Sequence, residues 1–178
     1  MIIGLVCFIV ASLFFVNLMY SLGKNEQREN GWLNLILGGL LLLIIVSGFL
    51  KEWTGPTSSE HPLPALWWAA QSLMFAMTYI LLGMQRIMDF DGRVVGWWSL
   101  FVVINVPLPV YQCFASGDIR FGLIWTFWGW LWLLFFISMG LQKGAESKLF
   151  NRISIISTVI GYIFTLQVPA LLILNGWW

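Results

Sequence analysis

The stretch Ile124–Phe136, which reads I-W-T-F-W-G-W-L-W-L-L-F-F, decides how this chain folds. It lies inside a longer uncharged run, and about 20 apolar residues are enough to cross the hydrocarbon core of a bilayer. Trp125, Trp128 and Trp132 are spaced i, i+3 and i+7, so they share one face of the predicted helix, whereas Trp130 points elsewhere. Tryptophan in membrane proteins usually lies at the water interfaces rather than at mid-membrane depth. Two interpretations stay open: a packed bundle core, or a slot lined by indoles for a small, flat, uncharged molecule.

The composition predicts an integral membrane protein. Of the 178 residues, 60% are apolar and 10% are charged, and the mean hydropathy is +0.86. Soluble domains average about 25% charged residues. The net charge of +1 comes without a basic patch, so no nucleic-acid partner is expected. Cys7 and Cys113 are expected to act as small hydrophobic residues rather than to form a disulfide.

Six uncharged runs, separated by short polar breaks, predict an all-α bundle of six transmembrane helices. The breaks leave no room for a soluble domain, so residues 1–178 are expected to form a single domain. Pro107 and Pro109 in the fourth run and Pro169 in the sixth predict kinks or breaks in those helices, because proline lacks the backbone N–H. The runs are approximately Ile3–Leu22, Trp32–Leu50, Leu63–Gln85, Val94–Gly117, Phe121–Gln142 and Ile153–Trp178.

Basic residues are distributed unevenly over the breaks, and cytoplasmic loops of membrane proteins carry the excess. The second and fourth breaks contain only Lys51 and Arg120, and the terminal segments contain none. Both termini are therefore predicted to lie outside the cell. The basic residues of the first, third and fifth breaks are Lys24, Arg28, Arg86, Arg93, Lys143, Lys148 and Arg152.

Every Lys, Arg, Asp, Glu and His of the sequence falls in these breaks, and none in a predicted span. Ion and proton pathways are marked by intramembrane ionisable residues, so their absence argues against a pump or an ion-coupled transporter. His61 is the single histidine, which excludes a multi-histidine metal or haem site within one chain. The chain is therefore interpreted as a non-enzyme without a metal or cofactor.

Neutral polar and aromatic residues cluster at comparable depth in several runs. Phe75 and Tyr79 are spaced i and i+4, with Thr78 beside them. Each polar residue alone is explained by an interhelical hydrogen bond, worth about 0.6 kcal/mol in a membrane. Together, amides and hydroxyls could replace the water around a small neutral solute such as urea, formamide or acetamide. A further stripe on the first run consists of Val10, Phe14 and Asn17.

Two motifs carry a family resemblance: W-W-S-L-F-V-V-I-N-V-P at Trp97–Pro107 and I-W-T-F-W-G-W-L-W-L at Ile124–Leu133. With these motifs the sequence resembles the AmiS/UreI family of short-chain amide and urea channels along nearly its whole length. Further matching segments are Gly4–Val6, Asn17, Gly38-Gly39, Phe75–Tyr79 and Val168–Leu172.

The resemblance implies a six-helix bundle assembled as a homohexameric ring, with one pore per protomer, in the bacterial inner membrane. It implies passive passage of urea or a short-chain amide, in service of a cytoplasmic urease or amidase. Val10 and Phe14 would form part of the outer approach. The residues that the resemblance places at the pore constrictions are Trp128, Leu131 and Trp132, with Phe75 and Tyr79 across the slot; Trp125, Asn17 and Thr78 complete the candidate lining.

The sequence departs from the acid-gated urea channels of this family in two places. Its second break offers only Glu60 and His61 as titratable candidates, so strong acid gating is not expected. A family glutamate of the last helix has no counterpart, since the nearest position is about Gly161. Both departures favour the amide-channel branch. The alternatives are a non-transporting sensor or assembly subunit with an aromatic core, and a secondary transporter of small neutral solutes.

Overall fold

The computed structural model describes residues 2–54, 63–144 and 146–178, and within these ranges all regular structure is helical. Glu60 and His61, the two candidates for acid gating, lie outside the described residues. The helices are α1 (Ile2–Ser21), α2 (Gln27–Thr54), α3 (Leu63–Met88), α4 (Arg93–Asn105), α5 (Pro107–Ala115), α6 (Ile119–Phe135), α7 (Lys148–Ile160) and α8 (Val168–Leu174), with π-helical segments at Phe136–Gly140 and Gly161–Gln167.

The all-helical membrane architecture expected from the sequence is confirmed. Five of the described helical stretches are long and apolar enough to cross a membrane. The remaining predicted span, Leu63–Gln85, lies within α3, a helix of 26 residues. The five stretches are Ile3–Ser21, Gln27–Leu50, Arg93–Ala115, Ile119–Gly140 and Lys148–Leu174.

Prolines divide two of the stretches, as predicted. Helix α4 ends at Asn105 and α5 begins at Pro107, whose ring nitrogen cannot donate the next hydrogen bond of the ladder. Pro169 lies in the first turn of α8, directly after the π-helical segment Gly161–Gln167. A π-helical turn absorbs the lost hydrogen bond without ending the span, and such turns often occur at functional sites.

Helices α2 and α3 approach closely because glycines face each other. A Cβ atom built on Gly83 would lie 2.8 Å from the carbonyl oxygen of Gly31, so no larger residue fits there. Gly38 also lies against α3, with the backbone nitrogen of Ile80 at 3.1 Å from the position of a Cβ atom, whereas Gly39 faces open space. Of the Gly38-Gly39 pair, only Gly38 therefore contacts α3.

The core of the bundle surrounds the indole face of α6. Leu13 of α1, Val102 of α4 and Leu166 of the second π-helical segment are buried around it. The outward faces of the same helices expose large apolar side chains such as Ile104 and Phe164. An apolar exterior around a tightly packed interior is the arrangement that a lipid solvent requires.

Candidate functional site

Helix α6 presents three of its four tryptophans to the interior, which confirms the division predicted from their spacing. Trp125, Trp128 and Trp132 are 7%, 5% and 5% exposed, and Trp130 is 41% exposed. The helix begins at a cap in which the backbone N–H of Phe121 donates to the side chain of Asp118. The three buried indoles therefore form one wall within the bundle.

Thr78 holds two indoles in place. Its Oγ1 accepts hydrogen bonds from Trp132 Nε1 at 3.1 Å and from Trp98 Nε1 at 3.0 Å. The same hydroxyl donates to the carbonyl oxygen of Met74 at 2.7 Å, one turn earlier in α3. Because both lone pairs and the proton are used, Thr78 orients rings rather than offering a free group to a solute.

A second threonine orients Trp128 in the same way. Trp128 Nε1 donates to Thr165 Oγ1 at 2.9 Å, and Thr165 donates to the carbonyl oxygen of Gly161 at 2.6 Å. The outward indole of Trp130 donates to Ser157 Oγ at 3.1 Å. The N–H groups of Trp128 and Trp132 thus point away from each other's rings to hydroxyls on α3 and the second π-helical segment. What the wall presents is ring surface.

The ring of Phe75, on α3, lies against this wall. Its centroid is 4.6 Å from that of Trp132, 4.8 Å from that of Trp128 and 5.9 Å from that of Trp125. These are the distances of favourable edge and tilted aromatic contacts. Phe75 and the indoles therefore form an aromatic constriction at the middle of the bundle.

Two cavities approach this constriction from opposite halves of the bundle, and Phe75 and Trp128 line both of them. We call them the Arg86 cavity, of about 250 Å³, and the Asp118 cavity, of about 380 Å³. The Arg86 cavity includes side chains from the last two turns of α1, and the Asp118 cavity includes side chains from its first two turns. The aromatic constriction thus stands between two hollows of small-molecule size.

The structure brings most of the predicted site residues together. Trp125 lines the Asp118 cavity. Val10 is only 1% exposed, belongs to the main hydrophobic core and lines neither cavity. Phe14, which the resemblance groups with Val10 in the outer approach, lines the Arg86 cavity, where its ring centroid is 6.5 Å from that of Tyr79. The predicted residues that line the Arg86 cavity are Phe14, Asn17, Phe75, Thr78, Tyr79, Trp128, Leu131 and Trp132.

Arg86 is a site residue that the sequence analysis missed. The sequence pattern predicts a polar break from Arg86 onward, but α3 continues to Met88 and places Arg86 on the cavity lining. The inference that no ionisable side chain enters the helical bundle is therefore wrong for this residue. A signal was available, because Phe75, Tyr79 and Arg86 are spaced i, i+4 and i+11 and so share a helical face.

A cluster of three asparagines supports Arg86. Asn17 and Asn34 exchange two side-chain hydrogen bonds of 2.9 Å each, and Asn34 Nδ2 also donates to Asn30 Oδ1 at 2.8 Å. Arg86 Nη1 donates to the side-chain oxygens of both Asn17 and Asn30. Asn30 enters the bundle because α2 begins at Gln27, about one turn before the predicted apolar run that starts at Trp32.

Gly161, the position without the family glutamate, faces the Arg86 cavity wall. A Cβ atom there would lie 2.8 Å from Leu131 Cδ1 and 3.3 Å from Phe14 Cε1. A larger side chain at this position would therefore displace residues of the wall. Among the described residues no group of three His, Cys, Asp or Glu side chains is arranged to hold a metal ion.

Comparison with known proteins places these features in a family. The sequence profile of the AmiS/UreI family transporter matches residues 2–177. The "Putative amidate substrates transporter protein" of Mycolicibacterium smegmatis is 31% identical over 98% of this chain and 78% of its own length. The acid-activated urea channel of Helicobacter pylori is 26% identical over 99% of both chains. The cryo-electron microscopy structure of the Helicobacter pylori urea channel in its closed state superposes with a TM-score of 0.83 at 25% identity, covering 99% of both chains. The chain belongs to the AmiS/UreI family of transporters.

Proposed function

We propose that this protein is a passive channel for urea and short-chain aliphatic amides, such as acetamide, across the bacterial inner membrane. The observation that carries the proposal is the pair of cavities that meet at Phe75 and Trp128. The names of the relatives, a urea channel and an amidate transporter, supply the solute class.

The chemistry of the constriction favours flat and neutral solutes. Aromatic rings offer surface without charge, so an ion that enters the constriction loses its hydration without compensation. A planar amide keeps contact with ring faces on either side. In the conformation described, Phe75 lies in contact with all three indoles. A solute therefore passes only when the side chain of Phe75 moves aside.

Each cavity is also lined by a residue that has a buried polar atom with no hydrogen-bond partner in the described part of the chain. Trp67 Nε1 on the Asp118 side and Ser154 Oγ on the Arg86 side are both buried and unpaired. A buried unpaired donor costs about 1–3 kcal/mol, which a solute carbonyl recovers by accepting its hydrogen bond. Single contacts of this kind bind weakly, as rapid conduction requires.

The cavity linings support a passive rather than a coupled mechanism. Arg86 and Asp118 are the charged residues among the described side chains that line the cavities, and neither is part of the aromatic constriction. A proton relay needs a series of Asp, Glu or His side chains across the membrane. Transport is therefore expected to follow the concentration gradient.

We extend the proposal to topology and assembly. Gly4 of α1 packs against Ile173 and Leu174 of α8, so the first and last helices meet with both termini at the same end of the bundle. With the charge distribution of the loops, this supports both termini outside the cell. The proposal also includes a single domain over residues 1–178 and a homohexameric ring surrounded by lipid. The channel would supply a cytoplasmic urease or amidase.

Stopped-flow measurement of proteoliposomes in urea or acetamide gradients tests the function. We expect equilibration well above that of protein-free vesicles and no accumulation against a gradient when a proton gradient is imposed. We also expect little change in permeability between roughly pH 5 and 7, where histidine titrates. Permeability equal to that of bare lipid would refute the channel and favour a non-transporting membrane subunit. Accumulation would instead identify a secondary transporter.

A further inference from the structure

Arg86 carries a positive charge that the proposed function does not use. Among the described residues that line the Arg86 cavity, Arg86 is the one with a charged side chain. Its Nη1 donates to the side-chain oxygens of Asn17 and Asn30, and its Cζ lies 4.2 Å from the centroid of the Tyr20 ring. Amide oxygens and an aromatic ring hold a guanidinium in place without cancelling its charge.

Acidic residues close to Arg86 in sequence are engaged elsewhere. Asp89 Oδ1 accepts a hydrogen bond from Gln27 Nε2 at 2.9 Å. Asp91 forms an ion pair with Arg93 at 2.7 Å, on the exposed loop. Arg86 makes no ion pair with any described residue. Partly buried charges in membrane proteins are normally paired, so this charge leaves room for an anionic partner.

Arg86 and Ser154 bring hydrogen-bond donors to the lining of the Arg86 cavity. A guanidinium has five N–H donors in a planar fork, and the described hydrogen bonds of Arg86 to neighbouring side chains all use Nη1. The Nε and Nη2 edge makes none of these bonds, and its two N–H groups match the two oxygens of a carboxylate. Ser154, whose buried Oγ has no hydrogen-bond partner among the described residues, lines the same cavity.

We propose that the Arg86 cavity binds a small monocarboxylate such as acetate, and that the bound anion slows passage of the neutral solute. The proposal rests on the channel function proposed above, because the obstruction follows from the position of the cavity beside Phe75, Trp128 and Trp132. The volume of about 250 Å³ accommodates one acetate with a few water molecules.

The chemistry of amides gives this ligand a biological source. Hydrolysis of an amide by water yields the carboxylate of the same carbon skeleton together with ammonium, so acetamide gives acetate. The carboxylate keeps the planar shape of its amide but exchanges the amino group for a negatively charged oxygen. A neutral amide therefore passes the Arg86 cavity, whereas its hydrolysis product is retained there, and flux falls as the product accumulates.

Calorimetric titration of the purified protein in neutral detergent tests the site without any transport. Sodium acetate is titrated at constant ionic strength into the wild type, into Arg86→Gln and into the matched control Arg93→Gln, which alters an exposed, paired arginine. We expect saturable binding to the wild type and the control, and at least tenfold weaker binding to Arg86→Gln. Equal binding to all three proteins, or none to the wild type, would overturn the site.

Tracer urea uptake into proteoliposomes loaded with acetate or with chloride tests the consequence. The measurement is made at alkaline pH, where the acid form that crosses lipid is scarce. We expect acetate to lower wild-type uptake several-fold relative to chloride, and Arg86→Gln to resist the inhibition. Arg86→Lys, which keeps the charge but not the planar fork, should show weakened inhibition.

The two proposals fail separately in these experiments. Absence of urea uptake in chloride alone refutes the channel, whatever acetate does in the calorimeter. Equal urea uptake in acetate and chloride, with normal uptake in chloride, refutes the proposal that bound acetate slows passage and leaves the channel standing. If Arg86→Gln does not fold, titration of the wild type alone still tests the site. Acetate must then bind more tightly than chloride and more tightly than acetamide, which is isosteric with acetate but neutral.

Discussion

Replacing Thr78 by valine isolates the role of one hydroxyl in shaping the aromatic constriction. Valine has nearly the same shape, but it removes the acceptor shared by Trp98 Nε1 and Trp132 Nε1. Hydrogen bonds between helices in membranes contribute about 0.6 kcal/mol on average and at most about 1.7. Loss of two such bonds therefore costs about 1 to 3 kcal/mol of unfolding free energy. Thr78 is buried, so no water is at hand to replace them.

The functional effect of Thr78→Val follows from the freed indole of Trp132. Without its hydrogen bond the ring samples other rotamers and the slot becomes less selective for planar solutes. We expect a lower unfolding midpoint in detergent and an increased ratio of glycerol to urea permeability in proteoliposomes. The matched control is Thr126→Val, because Thr126 Oγ1 donates only to the carbonyl oxygen of Gly122 in its own helix. If Thr78→Val and Thr126→Val show the same stability and the same permeability ratio, Thr78 does not position the indoles.

Three further predictions concern the constriction, the helix packing and the cavity on the other side. Phe75→Leu removes the ring that contacts the indoles, so urea and glycerol permeability should both rise; unchanged rates in stopped-flow measurement would place the constriction elsewhere. Gly96→Ala forces a Cβ atom into the backbone of Gly140 and should lower the free energy of unfolding by about 3 kcal/mol or more, which thermal unfolding measures. Gly39→Ala, at a position facing open space, should be nearly neutral, and similar midpoints for the two alanine variants would contradict the close contact. Cys113 is half-buried on the Asp118 cavity, so an organomercurial applied to that face should slow urea flux in the wild type but not in Cys113→Ala; a block that persists in the variant would show that Cys113 is not the reactive thiol.

Local sequence patterns predicted the helices, the buried face of α6 and the helix breaks, because these features depend on short-range geometry. The spacing of Trp125, Trp128 and Trp132 determines a shared helical face wherever the helix packs. Pro107 and Pro169 interrupt the hydrogen-bond ladder for a reason contained in the residue itself. Spacing and clustering also indicated nine of the ten candidate site residues, and the family resemblance added Leu131. The structure places all ten except Val10 on one of the two cavities.

The sequence by itself thus determined a membrane bundle of apolar helices, the buried face of α6 and the breaks at proline. Only the tertiary structure decided that Phe75 lies between two cavities and that the Asn17, Asn30 and Asn34 cluster holds Arg86 on the cavity lining. The physical reason is that helical periodicity orients a residue around its own axis, whereas burial and pairing depend on what neighbouring helices bring opposite to it. The sequence pattern places Arg86 in a loop. The asparagines that hold it inside the bundle belong to α1 and α2, more than 50 residues away, so no local pattern reveals them.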